Sequence, residues 1–220
     1  WDSIIYRELN KKKVVIPPNY RKSKSSYPGG YVKDPKIGKH DWVVSFDLNS
    51  LYPNLIVQYN MSPETLVNSV QGDVCVAANG AAFTKKFQGM LPRIIINYSD
   101  ERKAIKKEMK GVKSKLKEAK TEEEKSALSM QYDVLDGFQL AMKVSMNSIY
   151  GFTGANLGRL PEKRIAAATT AEGRRMIQAC KEYVESNYNC KVVYGDTDSI
   201  YVKFFTQYKG QEHMNEVFKI

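Results

Sequence analysis

The chain has 220 residues, with 34 Lys or Arg against 24 Asp or Glu, a formal charge of +10 and a sequence pI near 9.3. That length supports the core of one or two domains, and no apolar run approaches the length of a membrane span. Cys75, Cys180 and Cys190 are odd in number and, like His40 and His213, lack metal-ligand spacing, so neither a disulfide framework nor a zinc site is suggested.

A reducing compartment fits these cysteines, and the basic balance favours a polyanionic partner, nucleic acid before membrane surface. The start at Trp1, with neither initiator Met nor signal peptide, makes the chain read as a fragment. Residues 1–40 hold ten Lys or Arg against three acids, so most of the net charge is here. Pro17-Pro18 and Ser23 to Ser26 break any helix, and Tyr27-Pro28-Gly29-Gly30-Tyr31 interleaves aromatics with glycines. Two readings stand: a flexible solvated leader, or a segment whose amides approach phosphates while its tyrosines pack on sugars or bases.

Trp42 to Leu48 is an apolar run interrupted by Asp47 and reads as a buried strand. Ser50 and Pro53 mark entry to a helix carrying Leu55, Ile56 and Tyr59. Asp47 therefore stands where a strand ends and a helix begins, either as a helix-capping acid or as a metal ligand beside amides that hold a phosphate. Ser62-Pro63-Glu64-Thr65 opens a further helical turn, and Asn79-Gly80 signals a hairpin between Val74-Cys75-Val76 and Phe83.

From Ser99 to about Lys120 the chain turns helical and densely charged. Thr121 and Glu124 form a capping box that starts a second helix running to about Tyr150. Two long helices joined by a short turn make an antiparallel hairpin. Arg102 and Lys106 stand four apart on the first, and Lys143, Asn147 and Gly151 are spaced by four on the second. Lys103, Lys107, Lys110, Lys113, Lys115 and Lys117 read as a solvated face, whereas Lys143 has apolar sequence neighbours and calls for an anionic partner. After Gly151-Phe152-Thr153-Gly154 a loop runs to Pro161. A helix from about Glu162 to Ser186 follows, with Ala166, Ala167, Ala168, Ile177 and Val184 on its apolar face and Met176 and Cys180 as packing residues.

Residues 192 to 202 place two β-rich runs around Gly195-Asp196-Thr197-Asp198 and read as a hairpin with acids at its tip. On an extended backbone, acids at i and i+2 point the same way. The pair is either a solvated turn or a cation site, with Mg²⁺ the ion suggested.

The stretch Asp47-Leu48-Asn49-Ser50-Leu51-Tyr52-Pro53, then Lys143-Val144-Ser145-Met146-Asn147-Ser148-Ile149-Tyr150-Gly151, then Tyr194-Gly195-Asp196-Thr197-Asp198-Ser199 resemble motifs A, B and C of family B DNA polymerases. Tyr27-Pro28-Gly29-Gly30 is similar to that family's Tyr-x-Gly-Gly segment, and the wording of residues 45–53 and 60–65 is most like T-even-type and related marine phage polymerases.

The resemblance implies an α+β fold: an antiparallel palm sheet backed by helices, plus a helical-hairpin fingers subdomain. It divides the chain into a basic linker (1–40), palm (41–97), fingers (98–150) and palm again (151–220), with thumb and exonuclease absent. Asp47 and Asp198 would be the principal ligands of two Mg²⁺ ions, with Asp196 secondary and the Leu48 carbonyl completing a site. Ser50 and Leu51 would hold the triphosphate tail, while Arg102, Lys106, Lys143 and Asn147 would face it from the fingers. Tyr52 would lie under the sugar and exclude a 2′-hydroxyl. Tyr27, Gly29, Gly30, Tyr150, Gly151 and Tyr194 would touch DNA. The implied activity is template-directed transfer of dNTP to a primer 3′-hydroxyl in the cytoplasm, a host's if phage-encoded. Primer-template DNA, a thumb-bearing chain or segment and a sliding clamp would be partners, with no membrane. The rival readings are a catalytically idle DNA-binding fragment and another palm nucleotidyltransferase. Asn54, in place of the Ser more usual after Leu-Tyr-Pro, is a small departure.

Overall fold

The computed structural model describes residues 1–11, 13, 15, 26–155, 162–206 and 210–218. The expected breakers Pro17-Pro18, most of the Ser23–Ser26 run and the loop to Pro161 lie outside those residues. The fold is α+β, with two antiparallel sheets and six helices among the described residues. None of these helices is long and apolar enough to cross a membrane.

The larger sheet has the order β1-β6-β7-β2, formed by Val32–Lys33 (β1), Val43–Asp47 (β2), Cys190–Asp196 (β6) and Ser199–Phe204 (β7). β6 and β7 form a tight hairpin in which Asp196 pairs with Ser199, leaving Thr197 and Asp198 as the tip. Val192 pairs with Val202 and Tyr194 with Tyr201, so Val193 is a bulge. A bulge bends its strand and re-aims the residues beyond it. Here it is anchored, because Lys36 N–H donates to the Val193 carbonyl at 2.9 Å. The smaller sheet, β3-β5-β4, joins Leu66–Val67 (β3), Val74–Val76 (β4) and Ala82–Thr84 (β5). Gly80 turns its hairpin with φ of 83°.

α5 (Lys163–Asn187) links the two apolar cores. Its Ile165 and Ala168 pack with Ile5 of α1 (Asp2–Lys11), Ile56 of α2 (Leu51–Gln58) and Phe83 in one cluster. Its Ile177 joins Val192, Ile200, Val202 and Phe204 of the larger sheet in the other. Each such fully buried aliphatic side chain contributes about 1.5–3 kcal/mol of transfer free energy. α5 also buries Glu172, 1% exposed, whose carboxylate accepts from Ala78 N–H at 2.6 Å, the Tyr59 hydroxyl at 3.1 Å and Arg175 Nε at 2.8 Å. That network ties α2 and the β4–β5 hairpin to the central helix.

α3 (Met90–Glu118) and α4 (Glu122–Gly154) form the expected antiparallel hairpin. Thr121 caps α4 as a capping box with Glu124. α3 begins at Met90, well before Ser99, because three side chains from outside the helix supply its cap. The amides of Gly89, Met90 and Leu91 donate to Asn60 Oδ1 at 2.8 Å, Glu64 Oε1 at 2.5 Å and Ser62 Oγ at 3.3 Å. Gly89 brings no cap of its own, and a Cβ there would meet Ser62 Cβ at 2.6 Å.

Several expectations are corrected. The chain start is not a flexible leader: α1 seats Ile5, 1% exposed, in the core. β2 is not buried, because it is an edge strand; Phe46 is 46% exposed and Asp47 is open. α4 runs on to Gly154 rather than ending near Tyr150. Lys143 is exposed, since its apolar neighbours in sequence project around the helix and Leu140 and Val144 are themselves about half exposed. Nor do Asp196 and Asp198 follow strand alternation, because Thr197 between them adopts φ of 53°.

Candidate active site

Three short segments build the site at one end of the larger sheet. Asp47 ends β2 and pairs with Ser199, which places it beside the β6–β7 tip. Leu48 N–H donates to the Asp198 carbonyl at 2.7 Å, locking the end of β2 to that tip. Thr197 N–H donates to the Tyr31 carbonyl at 2.8 Å, and the Thr197 hydroxyl donates to Asp196 Oδ1 at 2.8 Å. A β-branched residue at positive φ is strained, and these two bonds hold it there. Burial and the nearby Asp47 carboxylate raise the Asp198 pKa, with Asp196 adding to the shift.

Asp47 and Asp198 line one cleft of about 310 Å³ with Asn49, Ser50, Tyr52, Lys143, Asn147 and Thr197. Its floor is the start of α2. Ser50 precedes that helix at φ of 53° and makes no side-chain cap, so its hydroxyl is not used by its own helix. The first-turn amides of α2 carry the partial positive charge of a helix N-terminus. The cleft thus joins two carboxylates to a cation and a helix start, a combination that accommodates a metal-bound polyphosphate.

Tyr52 stands against α4 and α5. Its ring lies 4.8 Å from that of Tyr150, and a Cβ on Gly173 would come to 2.8 Å from its Cε1. Burial first, then the Tyr150 phenol, pushes the Tyr52 pKa up to about 12. Tyr27 hydrogen-bonds Tyr150, and burial drives its phenol far above the usual range. A Cβ on Gly154 would strike the Tyr27 hydroxyl. The segment holding Gly29 and Gly30 is stitched to α5, where Thr170 Oγ1 and Arg174 donate to the Pro28 carbonyl at 2.9 Å each. Arg174 also donates to the Gly29 carbonyl at 2.6 Å.

The other expected residues lie around the cleft. Asp196 is exposed and engaged by Thr197. Arg102 is on α3, where its Nε donates to Gln139 Oε1 at 3.1 Å, and Lys106 is exposed one turn further along. Neither lines the cleft. Tyr194 packs against Tyr201 with ring centroids 5.4 Å apart and a tilt of 45°, and Gly151 is exposed on α4. Sequence reasoning overlooked Thr170, Gly173 and Arg174 as supports. Gly173 inside a helical stretch was the available signal, since an interior glycine marks close approach.

Among the described residues, no group of three Asp, Glu, His or Cys converges on one point. Asp47 and Asp198 nonetheless suit Mg²⁺, which takes hard oxygen ligands and typically binds through one or two carboxylates plus substrate phosphates. The mutual repulsion that raises Asp198 is what a divalent ion would relieve.

Comparison with known proteins returned a consistent result. The profile of DNA polymerase family B matches residues 2–219. The DNA polymerase delta catalytic subunit of Arabidopsis thaliana is 35% identical over 216 residues, covering 88% of this chain and 18% of that protein. DNA polymerase 1 of Pyrococcus abyssi is 39% identical over 183 residues, covering 82% of this chain and 22% of that protein. Among solved structures, the family B DNA polymerase from the hyperthermophilic archaeon Pyrobaculum calidifontis superposes with a TM-score of 0.69 at 29% identity, over 99% of this chain and 27% of that one. The chain therefore spans about one-fifth of the length of the curated relatives named. Those relatives are eukaryotic and archaeal, so the expected placement among phage polymerases finds no support in them.

Proposed function

The chain belongs to DNA polymerase family B, and on that premise we propose that it forms the nucleotidyl-transfer centre of a DNA-directed DNA polymerase. The primer 3′-hydroxyl attacks the α-phosphorus of a dNTP, a new P–O bond forms, and the bond to pyrophosphate breaks. The observation that carries this reading is the meeting of Asp47, Asp198, Lys143, Asn147 and Tyr52 in one cleft.

Asp47 and Asp198 would hold two Mg²⁺ ions, with the Leu48 carbonyl and Asp196 as further oxygen donors. Such ions, when bound, acidify the attacking hydroxyl and offset charge on the departing pyrophosphate. The chain's own groups do the rest. Ser50 and the Leu51 amide hold the triphosphate tail at the α2 N-terminus. Lys143 places a fixed cation against the charge that develops on the phosphoryl oxygens, and Asn147 donates beside it. Arg102 and Lys106 reach the same phosphates if the α3–α4 hairpin closes over the cleft. Tyr52, walled by Gly173, Tyr150 and Gly30, presents an unyielding ring to the sugar and rejects a 2′-hydroxyl. Tyr27, Gly29, Gly30, Tyr150, Gly151 and Tyr194 face the primer-template. Thumb, exonuclease and clamp contacts belong to the remaining length of such a polymerase.

Primer extension by Asp47→Ala and Asp198→Ala tests the reading. Both should lose extension while keeping wild-type circular dichroism. Extension at the wild-type rate by either would sink it, and a wild type that binds DNA without extending would favour the idle-fragment rival.

A further inference from the structure

α3 segregates its charges in a way that solvation does not require. Its buried seam runs through Met109 and Val112 against α4. At about 100° per residue, Lys113, Lys106, Lys117, Lys110 and Lys103 fall about 40 to 120° to one side of Met109, Glu101 and Glu108 fall about 80 to 100° to the other with Lys115 about 20° beyond them, and Lys107 and Asp100 lie at the back of the helix. All five lysines are exposed. Lys103 pairs with Asp100 at 2.9 Å, while among the described residues Lys106, Lys110, Lys113 and Lys117 have no ion-pair partner. Lysines three and four apart repel one another and weaken their own helix. A merely solvated face would intersperse glutamates with them.

The stripe shares its flank with the cleft. α4 runs antiparallel to α3, and the Arg102–Gln139 hydrogen bond fixes their register. Counted from Gln139, Lys143 and Asn147 lie about 40 and 80° to the side that faces the same way as the lysines. Both residues line the cleft. Asp133 and Asp136 of α4 also occupy this flank, and Asp136 is engaged as an acceptor from Gln139 at 2.8 Å. Glu122 and Lys125 of α4 fall on the same flank and pair with one another at 2.7 Å, so seven lysines against Asp133, Asp136 and Glu122 leave the flank positive.

We propose that this flank of α3 is a docking track for single-stranded DNA, leading away from the cleft along the phosphate backbone. From Lys103 to Lys117 it extends about 21 Å, with a cation every 4.5 to 6 Å or so, far beyond the reach of one triphosphate. The choice of an unpaired strand rests on the polymerase reading: if pairing occurs in the cleft, the strand lying further out on the fingers is template not yet copied.

The test is fluorescence anisotropy of a labelled oligo-dT with the protein across a salt series. Lys110→Gln/Lys113→Gln/Lys117→Gln is compared with Lys85→Gln/Lys86→Gln/Lys115→Gln, which removes equal charge elsewhere. Gln preserves helix propensity, and equal unfolding midpoints confirm folding. For single strands each contact contributes about 0.7 to the salt slope, so the stripe variant should lose about 2 of slope. Between 50 and 200 mM salt the wild type would then lose roughly 20-fold more affinity than the stripe variant. The control triple should keep the wild-type slope. Equal slopes in the two triples would overturn the proposal. So would a stripe variant that binds oligo-dT normally but loses affinity for dATP, since that would make the track a nucleotide funnel. Oligonucleotide binding needs no catalysis, so a wild type that fails in primer extension but shows the slope difference would separate failure of the polymerase reading from failure of the track.

Discussion

Gly173→Ala puts a methyl group where α5 has left room for Tyr52. The added Cβ would lie 2.8 Å from Tyr52 Cε1, 3.6 Å from its Cδ1 and 3.7 Å from Leu51 Cδ2. Carbon atoms settle at about 3.5–4.0 Å, so the ring must retreat by about 0.7 Å or more. Retreat is hindered on another side by Tyr150, whose ring centroid lies 4.8 Å away at an interplanar angle of 53°. Alanine gains about 0.5–1 kcal/mol over glycine in a helix interior, while overpacking costs about 1–3 kcal/mol. The net expectation is a loss of about 1 kcal/mol by urea unfolding, with a displaced ring as its cause. In primer extension the same variant should discriminate less sharply between dNTP and rNTP. A gain of about 1 kcal/mol together with unchanged sugar selectivity would refute the reasoning, because it would show that Tyr52 is not pinned by α5.

Three further outcomes are expected. Asp198 has its folded pKa raised by burial and by Asp47, so the native state holds more protons than the unfolded chain between the ordinary carboxylate value and the raised one, and stability falls as pH rises through that window. Asp47→Asn should therefore lower the Asp198 pKa by carbon-detected NMR and stabilise the metal-free protein at neutral pH, with the advantage vanishing once both acids are protonated; a pKa that does not move would show that Asp47 is not its neighbour. Glu172→Ala should cost about 3 kcal/mol, from lost hydrogen bonds to a charged acceptor and the cavity left behind, although Arg175, 53% exposed, rehydrates without great penalty. Glu172→Gln should recover about half, and a loss under about 1 kcal/mol for the alanine form would contradict the network's role. Thr197→Gly should relieve roughly 1–2 kcal/mol of positive-φ strain and offset it only in part by losing the hydroxyl that holds Asp196; measured destabilisation would mean that the tip carries no such strain.

The residues that meet in the cleft were legible because their types and order are specific. An acid at the end of a strand, a lysine and asparagine four apart on a helix, and an acid pair in a turn can be picked out without any coordinates. The scaffold was less legible wherever tertiary contact overrode local signals. Trp1, Ile5 and Leu9 repeat every four residues and mark α1 as amphipathic, yet the basic run around them masked that periodicity. Met90 to Tyr98 carries little charge and no capping side chain at Gly89, so nothing local announces a helix there; Asn60, Ser62 and Glu64 supply the cap from some thirty residues earlier. Strand alternation failed at Asp196-Thr197-Asp198 for a similar reason. The Tyr31 carbonyl and the Asp196 carboxylate hold Thr197 in a conformation that its own side chain disfavours.

These two failures share a physical pattern that bears on the site. The carboxylates are carried on strand ends and a strained two-residue turn, and the cations on a helical hairpin whose root is capped by side chains from another segment. Neither half satisfies itself electrostatically: Asp198 is pushed up by Asp47, and among the described residues Lys106, Lys110, Lys113 and Lys117 of α3 have no ion-pair partner. Evolution toward stability alone would have interleaved these charges. Within the cleft, Asp47 and Asp198 stand on the sheet side and Lys143 on the hairpin side, which leaves room for a ligand that is negative toward the hairpin and bridged by cations toward the sheet, as the proposed metal-bound nucleotide would be.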